Sequence, residues 1–212
     1  SRSRMWAGAF RKEDGRRDWD TTHGQGGGAY TATEEGLAIA VDPVGKVAVG
    51  GRLYRTVDGS TAPTVFPLQT PSGAYAHSGG GSFVLSFNAD YTLRWATTIG
   101  SEDHEAAYSQ LTDLRYVTEG RYLWFTGINS GNSPALDLVT QAGGYNGTQG
   151  SVMLGEFFML DLSLDYCTRW GGGDDSPLSI AYGLDYDGKY LWMVGGTRRP
   201  TLSATDAPLP AG

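Results

Sequence analysis

Cysteine is almost missing from this chain of 212 residues: Cys167 is the only one. No intrachain disulfide is therefore available, and a lone thiol in a strand-like run reads as a small core filler. A nucleophilic role would need a histidine close by, whereas His23, His77 and His104, the only three, lie in glycine- or charge-rich segments. Scarce cysteine suits a reducing cytosol and a bacterial surface protein equally, so the compartment stays open. Charge is thin as well, at 18% of residues with a formal balance of −7. That balance disfavours non-specific nucleic-acid binding. The one basic cluster, Arg11, Lys12, Arg16 and Arg17, is interleaved with Glu13, Asp14 and Asp18 and reads as a solvated hairpin. No stretch approaches the ~18 apolar residues of a membrane span. No signal peptide is visible, and the opening "SRSRMW" lacks an initiator Met, which reads as a mature, processed or excised piece.

What the chain has in quantity is glycine, 32 residues, together with six Trp and twelve Tyr. The glycines follow no G-X-Y period, which excludes collagen. The aromatics argue against disorder. Glycine punctuating short aromatic and β-branched runs is the composition of an all-β protein with many turns.

The phrase "GRYLWFTG" (Gly120–Gly127) returns as "GKYLWMVGG" (Gly188–Gly196) and, two residues shorter, as "GKVAVGG" (Gly45–Gly51). "DYTLRW" (Asp90–Trp95) falls on "DYCTRW" (Asp165–Trp170) at a spacing of 75, and Phe83, Leu85 and Phe87 fall on Phe158, Leu160 and Leu162. "WDTTHG" (Trp19–Gly24) matches "WATTIG" (Trp95–Gly100), and "LQTPSGAY" (Leu68–Tyr75) pairs with "LVTQAGGY" (Leu138–Tyr145). Two sets of equivalent positions are expected from this: Trp19, Trp95 and Trp170, and Gly45, Gly120 and Gly188. Such self-similarity predicts a repeat architecture.

Alternate residues of a strand face opposite ways. In "GRYLWFTG", Tyr122 and Trp124 oppose Leu123 and Phe125; in "GKYLWMVGG", Tyr190 and Trp192 oppose Leu191 and Met193. Both faces are apolar, so these strands are expected to be covered on both sides, with Trp124 and Trp192 in the core. Four strands per repeat, antiparallel and apolar on both faces, predict β-propeller blades. Solenoids are the competing arrangement, although their repeats usually run to about 20–45 residues. The expected division is the end of a preceding blade over 1–20, blade repeats over 21–97 and 98–172, and the first half of a further blade over 173–212. Closed propellers need roughly four or more blades. The chain is thus expected to be an incomplete propeller, one segment of a larger protein or one whose edges other chains complete.

In "LAIAVDPVGKVAVGG", "FPLQTPSGAY" and "GGGSFVLSFNADYTLRWATTIGS", taken in that order, the chain resembles the bacterial SBBP-type β-propeller repeats, from Trp19 to about Gly196. Val117 departs from that pattern where Asp42 and Asp185 follow it. Kelch-type blades are the second resemblance, through the GG doublet with a downstream Trp. Either resemblance implies a surface-exposed or secreted binding and scaffold module, with protein partners or further blades, and carries over no catalytic residue.

The search for chemistry yields few candidates. "GQGGGAY" (Gly24–Tyr30) lacks the Lys-Ser/Thr of a phosphate-binding loop. "SEDHEAAY" and "GGGDDSP" occupy matching places after the Trp strands, so Asp103, Glu105, Asp174 and Asp175 are candidate calcium ligands against a reading as solvated acidic loops. No other cofactor is expected. Tyr75 and Tyr145, in the long connections, are the candidates for exposed contact with a ligand, carbohydrate among them. The leading expectation is a non-catalytic extracellular or cell-surface scaffold. The alternatives are part of a propeller enzyme acting on polysaccharide, and a structural subunit of a filament or secretion-associated assembly.

Overall fold

The structure, a computed structural model, describes residues 5–23, 32–55, 69–77, 81–100, 109–129, 138–139, 150–170 and 179–197. Twelve strands occur there in four antiparallel sheets. The first sheet is β1 (Met5–Phe10) with β2 (Arg17–His23). The second is β3 (Ala32–Val41), β4 (Val47–Arg55), β5 (Ser82–Phe87) and β6 (Leu93–Ile99), hydrogen-bonded in that order. The third is β7 (Ser109–Val117), β8 (Tyr122–Asn129), β9 (Val152–Phe158) and β10 (Ser163–Trp170). The fourth is β11 (Ser179–Tyr186) with β12 (Leu191–Thr197). The chain is all-β, as its composition predicts, and among the described residues the only helical turn is 3-10, Thr118–Gly120. No helix there is long and apolar enough to cross a membrane.

The sheets stack face to face. One core fills the gap between the second and third sheets, where Ala48, Val84 and Trp95 meet Leu114, Leu123, Phe125 and Phe157. Another lies between the first and second, with Met5 and Ala7 against Val49, Phe83 and Leu85. Alternation along β4 and β5 sends successive side chains into the two cores: on β5, Phe83, Leu85 and Phe87 enter one, while Val84 enters the other between the buried Ser82 and Ser86. The fourth sheet packs on β7 and β8. There Leu184 donates its backbone N–H to Asp113 at 2.6 Å, and Thr112 donates its hydroxyl to the Ala181 carbonyl at 2.6 Å.

Turn chemistry is shared among the sheets. Gly45, Gly120 and Gly188 sit in the turns joining β3–β4, β7–β8 and β11–β12, at φ of 89°, 82° and 95°, where a side chain is disfavoured. Asp42 accepts the N–H groups of Val44 and Lys46, and Asp187 those of Lys189 and Tyr190. A bulge kinks the first strand of the second, third and fourth sheets. Opposite it stand Gly51, Gly127 and Gly195, where a Cβ would collide with the carbonyl oxygen of Glu35, Gln110 or Ile180.

The structure corrects the alignment at constant spacing. Asp14, Asp90 and Asp161 hold one kind of turn, each accepting at 3.0 Å the N–H two residues on. The intervening Gly15, Tyr91 and Leu162 have φ of 70°, 66° and 66°. A register skip follows at Asp18, Arg94 and Asp165, after which Trp19 pairs with Ala9, Trp95 with Ser86, and Tyr166 with Glu156. Tyr166 therefore holds the place of Trp19 and Trp95. Trp170 ends β10 four residues further on, half-buried. Likewise Phe157, not Leu162, matches Phe87, while Leu160 and Leu162 lie in the turn after β9. The cause is length. Arg52 and Ser82 pair across a connection of 29 residues, Ile128 and Val152 across one of 23, and changes of loop length cost little.

Candidate functional site

Of the residues proposed from sequence as contacts, Asp103, Glu105, Asp174, Asp175 and Tyr145 lie outside the described residues, as does His104. No group of three or more potential metal ligands occurs among the described ones. Tyr75 is described, and it is not the exposed contact expected. Its ring is half-buried against Phe157, centroids 5.7 Å apart, and stacks with His77. Its backbone is committed too: the N–H donates to the Leu162 carbonyl at 2.9 Å and the carbonyl accepts Trp95 Nε1–H at 3.1 Å. Tyr75 thus ties the connection after β4 to the third sheet. A second correction concerns Trp192, expected in the core but 59% exposed, with its Nε1–H on Asp187 at 2.8 Å. Trp124, its counterpart on β8, is half-buried.

A group that the sequence reading missed is the row across β8, β9 and β10 formed by Trp124, Glu156 and Tyr166. Glu156 is directly opposite both aromatic residues, so all three point to one face of the third sheet. The two rings approach across it to 5.8 Å between centroids, leaving Glu156 7% exposed. Burial, and secondly the Asp165 carboxylate, push its carboxyl from the ordinary 4.5 up to about 7. Asp165 is itself held by the Ser163 hydroxyl at 2.6 Å. Two neighbouring carboxylates with unlike surroundings are the raw material of acid–base chemistry. Here the protonatable member is closed off by aromatic rings, so what it can do as placed is hold a proton near neutral pH. Alternation marks Glu156 as sharing a face with Leu154 and Phe158; that was the available signal.

A second polar group bridges the second and third sheets. Arg94 Nη2 donates to the Met159 carbonyl at 2.6 Å. Burial pushes the nearby Tyr116 phenol up to about 12, against the pull of the Ser86 hydroxyl. Asp42 abuts Gly120 closely enough that a Cβ there would touch its carboxylate. These contacts join elements of different sheets and fix their relative placement.

Fold and site together define an all-β protein of stacked antiparallel sheets with polar ties between sheets. The chain matches no protein-family model and no curated protein.

Proposed function

We propose that the chain is a segment of an SBBP-like bacterial β-propeller, serving as a non-catalytic extracellular or cell-surface scaffold for binding or assembly. The observation that carries the reading is the recurrence of one seam. Trp19 meets Phe87 edge-on, centroids 5.3 Å apart, and Trp95 meets Phe157 edge-on at 4.8 Å. In each seam the aromatic of one sheet's last strand meets the phenylalanine of the next sheet's third strand. Sheets related in this way stack like successive blades. The hydrogen bonds that run between sheets, from Arg94 Nη2 to the Met159 carbonyl, from Thr112 to the Ala181 carbonyl and from the Leu184 N–H to Asp113, support a scaffold, since they join one sheet to the next.

The test uses one preparation with two readouts. The purified chain is incubated with a panel of bacterial extracellular polysaccharides, followed for retention and for release of reducing ends. An antibody to the chain is applied to intact cells of the source bacterium. Retention or inertness without release, with labelling of intact cells, is the expected result. Release of reducing ends, or labelling only after permeabilisation, overturns the reading.

A further inference from the structure

We propose that Ser86, Arg94 and Tyr116 bind one ordered water molecule in the seam between the second and third sheets, where it links one sheet to the other. The three residues come from three strands. Ser86, on β5, is fully buried. Arg94 is the extra residue of a bulge in β6, lying between Trp95, opposite Ser86, and Leu93, opposite Phe87. Bulges re-aim side chains. This one delivers the guanidinium to the third sheet, where Nη2 donates to the Met159 carbonyl at 2.6 Å. Tyr116, on β7, is only 9% exposed and belongs to the same core as Trp95.

Three polar atoms point to the ligand. Ser86 Oγ, Arg94 Nη1 and Tyr116 Oη are each buried and without a hydrogen-bond partner among the described residues. They form one group, since Ser86 and Arg94 both act on the Tyr116 phenol. Buried polar atoms of folded proteins are nearly always bonded, to protein or to ordered water. The turns at this end of the two sheets, at Asp42, Asp90, Thr118 and Asp161, are all among the described residues.

The chemistry selects water over an ion. Arg94 Nη1 can only donate, whereas the two hydroxyls donate or accept. A water accepts from Nη1 and from one hydroxyl and donates to the other, about the usual number of bonds for a buried water. An anion would suit the guanidinium, but the Asp42 carboxylate acts on the Tyr116 phenol more strongly than Arg94 does, and in the opposite sense. A cation would meet the guanidinium itself. A neutral molecule that both gives and takes hydrogen bonds incurs neither repulsion. The group is also particular to this seam. The place of Ser86, opposite the aromatic residue of the last strand, is taken by Ala9 in the first sheet and by Glu156 in the third. It is therefore no by-product of the turn geometry that the sheets share.

The experiment combines a crystal structure of the purified chain, grown in bromide in place of chloride, with oxygen-17 relaxation dispersion in solution. The expected result is water density about 2.5–3.2 Å from Arg94 Nη1, Ser86 Oγ and Tyr116 Oη, with no bromine anomalous signal there. In solution, the double variant Ser86→Ala with Tyr116→Phe keeps one partner of the three, fewer than a buried water needs. It should hold one long-lived water fewer than the parent. Tyr116→Phe alone is the milder change and should shorten that water's residence about tenfold, the share of one hydrogen bond. Far-UV circular dichroism reports that each variant is folded. An anomalous peak at the site, or a direct bond between the Ser86 and Tyr116 hydroxyls with Arg94 Nη1 bonded to protein, overturns the proposal. So does an equal number of long-lived waters in parent and double variant, or an unchanged residence time in Tyr116→Phe. Those results leave the scaffold reading standing, because that reading fails only on release of reducing ends or on the labelling of cells.

Discussion

Trp95 stands edge-on to Phe157 across the boundary between the second and third sheets, ring planes at 77° and centroids 4.8 Å apart. Its indole N–H is satisfied by the Tyr75 carbonyl, so the ring brings its full apolar area into the core without stranding a polar atom. One side chain thereby connects β6, the connection after β4, and β9.

Trp95→Ala is expected to destabilise the protein by about 3–5 kcal/mol, the range for deleting a buried aromatic. Trp170→Ala should cost clearly less, because Trp170 is half-buried at the end of β10. Tyr166→Ala should fall closer to the Trp95 value, since Tyr166 holds the corresponding place and is buried. Urea unfolding of the three variants checks the order; equal losses at Trp95 and Trp170 would restore the alignment at constant spacing.

Gly127→Ala is expected to be among the most damaging alanine substitutions. An added Cβ meets the Gln110 carbonyl oxygen in the strand pair itself, and backbone cannot step aside as a side chain can. Gly15→Ala makes the contrast: nothing lies near its Cβ, and only the positive φ of 70° opposes the change, at a cost of about 1 kcal/mol. Thermal melts of the pair read the difference directly.

Glu156 predicts a pH dependence. Its folded pKa, about 7, lies above the ordinary 4.5, so between those values the native state holds a proton that the unfolded state has released. Stability from this group is therefore full below about pH 4.5, falls as pH rises, and levels off above about 7. Glu156→Gln removes the titration. The variant should differ least from the parent at pH 4 and gain on it steadily up to pH 8. Melting temperatures across that range test the sign; a constant offset between the two proteins defeats it.

Much of the fold was legible in the letters because its causes are local. Alternating apolar residues between glycines gave the strands, and turns requiring positive φ left glycine at Gly45, Gly120 and Gly188. Trp170 misled for a related reason. "DYCTRW" repeats "DYTLRW" as text, but the turn that aligns the strands is set by Asp161 and Leu162, and a shorter connection moves everything after it. Trp192 looked like core from its own neighbours, whereas coverage depends on what stands across from the strand. Glu156 was unreadable because its burial comes from residues 32 positions before it and 10 after it, brought into one row only by pairing.

Cys167 lies buried in β10, within the core shared by the second and third sheets, and is bridged to Val139 along its backbone. As the chain's single thiol, it is a native gauge of how often that seam parts. The rate at which a small alkylating reagent consumes it, compared with the rate for unfolded chain, converts into an opening free energy. No probe has to be engineered into the protein for that measurement.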